Sequence, residues 1–274
     1  MKIHHLSCAT LCPVGKRLLA GEGGLLEKHE LCAHVLLIEA GDALVLVDTG
    51  FGTGDIADPK RLGQPFRALI KPVLDLADTA VEQIRGLGLD PADVRHIAAT
   101  HLDVDHAGGL GDFPDAEVHV FRPEMEAALN PSIRERLRYI DGQWAHGPSW
   151  HPHDVAGDEW MGFEAVRVIP GLDAEVVLVP LPGHSRGHSA IAVREGGGWL
   201  MHCGDAYFHR NEVRTPPSCP PGLRFFQTAV GYNGKARRQN QERLRELVRE
   251  HGGEVRTFCA HDAVELRELQ ASSD

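Results

Sequence analysis

The stretch Thr100-His101-Leu102-Asp103-Val104-Asp105-His106-Ala107-Gly108-Gly109 follows directly on the apolar Ile97-Ala98-Ala99 and decides the reading of this chain. It packs four side chains able to ligate metal, His101, Asp103, Asp105 and His106, into six positions. Imidazole and carboxylate are the usual nitrogen and oxygen donors for zinc and harder divalent ions. If the segment stays extended, alternation turns His101, Asp103 and Asp105 to one side. A turn after Asp105 then brings His106 to join them. The pattern reads as a strand end opening into a metal cradle.

Outward from that stretch, buried strands are expected at His34–Ile38 and Ala43–Val47, a hairpin about Gly41-Asp42 that runs into the turn Asp48-Thr49-Gly50. Helical spacing is expected over Thr79–Leu87, stopped by Gly88. Strands are expected at Val94–Ala99 and Glu117–Phe121, and a helix over Pro123–Tyr139 with proline in its first turn. The pattern returns with strands at Phe163–Ile169, Glu175–Pro180, Ala190–Arg194 and Trp199–His202. A charged amphipathic helix over Lys235–His251 and a last strand at Val255–Cys259 close it. Two sets of strands, each followed by a helix, predict two packed sheets with helices outside, a four-layer α/β sandwich forming one domain over residues 1–274. Two long loops interrupt this frame. Residues 140–160 hold Trp144, Trp150 and Trp160, and either cap a site or are pinned to the surface by their own tryptophans. Residues 207–234 are expected to form another wall.

Composition narrows the function. A net charge of -11 over 274 residues argues against a nucleic-acid sleeve or an anionic membrane as partner. No apolar run reaches the ~18 residues of a membrane span. No leader pattern is read at the N-terminus. Six scattered cysteines read as reduced thiols in a cytoplasmic protein, and a small molecule is the expected partner.

Three further residues stand where an expected strand meets a loop: His184 in Pro182-Gly183-His184-Ser185-Arg186-Gly187-His188, Asp205 in Cys203-Gly204-Asp205-Ala206, and His261 after the last strand. With these the chain resembles the metallo-β-lactamase superfamily, whose core motif is HxHxDH followed by a distant His, Asp and His. Asp48-Thr49-Gly50 matches the family's early turn, His101, Asp105 and His106 match the core motif, and His184, Asp205 and His261 match the later ligands. The resemblance spans roughly residues 30 to 265. It implies an αββα sandwich holding two divalent ions, most simply zinc, with iron or manganese admitted.

The departure is Asp103, which stands where the family has its second His. On the resemblance, His101, Asp103 and His184 bind one ion, Asp105, His106 and His261 the other, and Asp205 bridges; the alternative is that the shorter Asp103 side chain falls short of the metal and only accepts a hydrogen bond behind it, leaving the first site weak or empty. Three carboxylates against two divalent ions leave one positive charge, which a bridging hydroxide cancels. Carboxylate for imidazole shifts preference toward harder ions. The implied chemistry is a binuclear hydrolase whose bridging hydroxide attacks a small ester or lactone. Asp105 shuttles the proton, and Tyr207 either donates to the substrate carbonyl, as a tyrosine near this place does in the family's lactonases, or, its offset not being identical, packs. The alternatives are a β-lactam or phosphodiester hydrolase, and a diiron oxidoreductase, whose relatives carry an acid at this same position. Asp48 and His188 are expected to orient ligands rather than bind metal.

Overall fold

The computed structural model describes residues 1–169, 171–172 and 174–273. The first sheet contains β1 (Lys2–Leu11), β2 (Leu31–Ala40), β3 (Ala43–Val47), β4 (Pro72–Val73), β5 (Val94–Ala98), β6 (Glu117–Phe121) and β7 (Ser149–His153), in the order β4-β1-β2-β3-β5-β6-β7. The pairs from β3 onward, β3–β5, β5–β6 and β6–β7, are parallel, and the rest of the sheet is antiparallel. A short ribbon, β8 (Glu159–Trp160) with β9 (Phe163–Glu164), precedes the second sheet. That sheet contains β10 (Val166–Val168), β11 (Val176–Pro180), β12 (Ser189–Glu195), β13 (Gly198–His202) and β14 (Val255–Phe258), ordered as numbered.

Alternation along these strands builds three apolar layers. Leu36, Ile38, Val45 and Val47 meet Leu178, Ile191, Val193 and Leu200 between the sheets. Leu37, Leu46, Ile97 and Val118 face outward onto Val81 and Ile84 of the helix Ala80–Gly86 and onto Ala127 and Ala128 of the helix Arg122–Leu129. Val177, Val179, Ala192 and Met201 face the other way onto Leu244 and Leu247 of the helix Gly234–His251. The result is the expected sandwich of helices outside two sheets.

The expected helix Pro123–Tyr139 stops at Leu129. Pro131 forbids its continuation, because the ring lacks an N–H and pushes Asn130 out of the helical region. The released segment folds back, and this carries Arg138 into the site described below. Phe163–Ile169 is two strands rather than one. β1 and β7 and the helices Pro221–Val230 and Ala263–Ser273 were not anticipated. In β1 a register shift between Ser7 and Thr10 breaks the alternation that would have announced it. All six cysteines are free. No helix among the described residues is long and apolar enough to cross a membrane.

The helix Ala263–Ser273 carries a buried carboxyl, Glu265, whose Oε2 accepts from the Cys259 N–H at 2.9 Å. Burial pushes its pKa from 4.5 up to about 8. The folded state therefore holds a proton there that the unfolded state releases. The stability this contributes is complete below pH 4.5 and is lost as pH rises toward about 8. Glu265→Gln is expected to remove that dependence. Thermal unfolding should show the variant more stable than the parent by about 1–3 kcal/mol near pH 8 and nearly equal near pH 5.

Candidate metal centre

β3 and β5 end side by side, and the two turns that leave them pack backbone to backbone. Gly109 N–H donates to Gly50 O, and Thr49 Oγ1 donates to His106 O. A Cβ on Gly108 would lie 2.3 Å from Asp55 Oδ2, and one on Gly50, where φ is +66°, 2.3 Å from Cys8. Only glycine permits this approach. Asp48, itself at φ 60°, directs its carboxylate inward. Its Oδ1 accepts from Thr100 N–H, and its Oδ2 accepts from both the Thr100 hydroxyl and His106 Nδ1.

The ligand motif does not stay extended. Asp103 immediately precedes a short helix, Val104–Ala107, without its side chain capping it. The expectation that Asp105 points with His101 and Asp103 is therefore overturned: the helical turn sends Asp105 and His106 the other way. Two groups result. His101, Asp103, His184 and Asp205 converge in one, and Asp105, His106 and His261 in the other. Asp205 spans them. Its Oδ2 lies 3.8 Å from His101 Nε2 and 3.3 Å from His184 Nε2, and its Oδ1 lies 3.3 Å from His106 Nε2 and 3.1 Å from His261 Nε2. Asp103 Oδ2 is 3.0 Å from His184 Nε2 and 3.5 Å from His101 Nε2, and Asp105 Oδ2 is 3.8 Å from His261 Nε2. An ion about 2.0–2.1 Å from tetrahedral ligands spaces them about 3.3–3.4 Å apart. Both groups match that spacing.

The hydrogen bonds behind the histidines fix where their lone pairs face. His106 Nδ1–H donates to Asp48, and His261 Nδ1–H donates to Cys32 O at 2.7 Å. The Thr100 hydroxyl has given its proton to Asp48, so His101 Nδ1–H donates to it at 3.0 Å. Each of these rings thus turns Nε2 inward; against the cost of burial, Asp205 and then Asp48 raise His106 well above its ordinary pKa and Asp205 raises His261, so an ion binding there would displace protons from the rings. His101 Nε2, His106 Nε2 and Asp205 Oδ1 are buried without a protein hydrogen-bond partner. Natural interiors rarely leave such atoms orphaned, and a pair of cations satisfies all three. His188, as expected, orients rather than ligates: its Nδ1–H donates to Leu181 O, and its Nε2 accepts the Asp205 N–H at 2.9 Å. Burial alone would raise the Asp205 pKa, but the imidazoles of His261, His184 and His106 hold it well below the carboxylate range.

Two residues that the sequence did not single out complete the centre. Arg138 places Nη1 2.5 Å from Asp103 Oδ2 and 2.8 Å from His184 Nε2. Against the cost of burial, this guanidinium holds Asp103 well below its ordinary pKa, and burial together with the same cation lowers His184 to about 4. Glu124, fully buried, joins two ligand-bearing loops. Its Oε1 accepts from Leu102 N–H and the Tyr139 hydroxyl, and its Oε2 accepts from the Ser185 hydroxyl and Gly187 N–H.

Tyr207 does not reach the centre. The turn closed by the Ala206 N–H donating to Cys203 O carries the chain away after Asp205, and Tyr207 is sealed in the core with Cys203, Cys259 and Leu244. Its assignment as a donor to substrate is corrected: it packs. An apolar cavity of about 350 Å³ opens onto Asp103, Asp105, His184, Asp205 and His261. Phe208, Phe226 and Val230 wall it, so the 207–234 segment supplies a wall as expected, through the helix Pro221–Val230. Residues 140–160 do not line it. Trp144 and Trp150 pack on the first sheet's outer core and Trp160 on Trp199.

A family model described as the metallo-beta-lactamase superfamily matches residues 33–250. Over 263 residues the chain is 45% identical to the probable metallo-hydrolase Rv2300c of Mycobacterium tuberculosis, covering 96% of this chain and 80% of that protein. It is 30% identical over 167 residues to the N-acyl homoserine lactonase AttM of Agrobacterium fabrum, 61% of each chain. Its fold is similar to that of a Bacillus thuringiensis AiiA mutant solved with N-decanoyl-L-homoserine at the active site. The TM-score is 0.73 at 22% identity, over 97% of this chain and 95% of that one.

Proposed function

The chain belongs to the metallo-β-lactamase superfamily and is a metallo-hydrolase, and from that premise we propose that it opens a small lactone or cleaves a small ester with an apolar acyl part. The observation that carries the reading is the position of Asp205, one oxygen toward each ligand group, at the floor of an apolar cavity. His101, Asp103 and His184 would hold one divalent ion, Asp105, His106 and His261 the other, and Asp205 both. Zinc suits the four imidazoles, and Asp103 also admits iron or manganese. Such a pair, when bound, lowers the pKa of water toward 7 and polarises a carbonyl.

The chain's own groups do the rest. Phe208, Phe226 and Val230 offer the acyl chain a dry surface. Asp105, which both belongs to the second group and lines the cavity, would carry a proton to the leaving oxygen as the acyl–oxygen bond breaks. The lactonases among the relatives support a lactone substrate. Metal-restored protein should hydrolyse N-acyl homoserine lactones or aryl esters, with kcat/KM rising with acyl length. Absence of turnover across such a panel, with both ions confirmed bound, would refute it.

Arg138 changes the charge sum read from the sequence. Its guanidinium adds one positive charge beside Asp103 and so offsets the exchange of imidazole for carboxylate. Restoring the family's residue with Asp103→His is therefore expected to weaken binding of the first ion about 10–100-fold. The guanidinium would then face two imidazoles with no carboxylate between. Asp103→His combined with Arg138→Leu should recover most of that loss. Chelator competition measures both, and a single variant that binds as tightly as the parent contradicts the argument.

A further inference from the structure

We propose that the parallel edge of the first sheet carries a metal site separate from the hydrolytic centre, built by His96, Glu117 and His119 and taking a single borderline divalent ion such as zinc. Register creates it. Parallel pairing sets His96 of β5 beside Glu117 of β6, and His119 of β6 beside His151 of β7. Because side chains alternate, Glu117 and His119 share one face of β6, and His151 and His153 the same face of β7. Five polar, metal-competent side chains thus converge on one face of three adjacent strands.

The distances are those of a coordination shell. His96 Nδ1 lies 3.1 Å from His119 Nε2 and 3.4 Å from a Glu117 oxygen, and that same oxygen lies 3.8 Å from His119 Nε2. The three atoms bracket the spacing of about 3.3–3.4 Å that tetrahedral zinc requires. Behind them stands the second layer such a site needs. His119 Nδ1 lies 2.9 Å from His153 Nε2, so Nδ1–H can donate there while Nε2 faces the ion. His151 Nε2 lies 3.7 Å from the other Glu117 oxygen. His119 is buried, whereas the Glu117 and His151 side chains are about four-tenths exposed, so an ion can enter from solvent and keep a water.

Protonation supports the geometry. Burial, then the neighbouring histidines, pushes His119 down to about 3, and burial lowers His96 and His153 as well. The lone pairs are therefore free at neutral pH, as metal binding requires. None of these residues belongs to the seven of the hydrolytic centre. The ion would tie β5 to β6, and β5 is the strand that delivers His101 to the centre.

The test is a count. The full-length protein is dialysed against zinc, freed of excess and assayed for bound metal. The double variant His96→Gln/Glu117→Gln, at two side chains that are not fully buried, should bind one zinc equivalent fewer than the parent with its hydrolytic turnover unchanged. His153→Ala should weaken that same equivalent about 10–100-fold. Equal zinc content in the parent and the double variant overturns the proposal and leaves the cluster a hydrogen-bonded histidine ladder. The count does not depend on which substrate the hydrolytic centre takes, so that reading can fail while this one stands.

Discussion

Asp205→Asn is expected to release metal from both groups and to lower kcat/KM by roughly 10³-fold or more, about 4 kcal/mol of transition-state stabilisation. The carboxylate has one oxygen 3.3 Å from His184 Nε2 and the other within 3.3 Å of His106 and His261 Nε2. An amide of the same shape offers one acceptor oxygen and one NH₂. Whichever way it turns, hydrogens point into one of the two groups, toward the cation that group would hold. The side chain cannot swing aside, because the Asp205 N–H is tied to His188 and the following residues are sealed in the core. Elemental analysis and steady-state kinetics on the same preparation check the result. An asparagine variant that keeps two equivalents and activity within tenfold would show that Asp205 does not join the groups.

Much of this centre could be read before any fold was known, and the reason is local. His101, His184, Asp205 and His261 each stand three or four residues beyond the end of a strand, and a metal-competent side chain at such a junction stands out in the letters alone. The two groups of metal-competent residues could also be read, but only through the family resemblance. Alternation by itself predicted the wrong partner for Asp105, since the helix Val104–Ala107 begins one residue after Asp103. Arg138 and Glu124 carried no such signal. Each is a charged residue within what reads as one long surface helix, and only the break at Pro131 brings Arg138 to Asp103. Tyr207 failed for the opposite reason. It stands two residues from Asp205, but the turn closed between Ala206 N–H and Cys203 O sends it into the core, and nearness in sequence is lost in space. The histidines of β5, β6 and β7 meet through strand pairing, and spacing along a single strand does not reveal which strand lies beside it.

Glu124 is the position where a change far from the cavity should matter most. Its carboxyl accepts four hydrogen bonds from three sequence neighbourhoods. Leu102 and Tyr139 sit beside the ligand Asp103 and its partner Arg138, and Ser185 and Gly187 follow the ligand His184. The hydroxyls of Tyr139 and Ser185 can turn to a new partner, but the N–H groups of Leu102 and Gly187 are fixed. In Glu124→Gln one of those two N–H groups must face an NH₂, at a cost of about 1–3 kcal/mol. Glu124→Ala abandons all four donors in a fully buried place, where no side chain replaces them, and should cost about 3–5 kcal/mol. Room is absent for any larger rearrangement, because Gly187 lies so near that a Cβ on it would come within 2.1 Å of Glu124 N. Denaturant unfolding of the metal-free protein measures the stability loss. A second readout separates positioning from mere destabilisation. At a temperature where both variants remain folded, the first ion, held by His101, Asp103 and His184, should be lost at lower chelator concentration than in the parent. The second, held by Asp105, His106 and His261, should be retained, because Asp48 and Cys32, not Glu124, brace its histidines. Loss of both ions in parallel would mean that Glu124 supports the fold without directing the ligands.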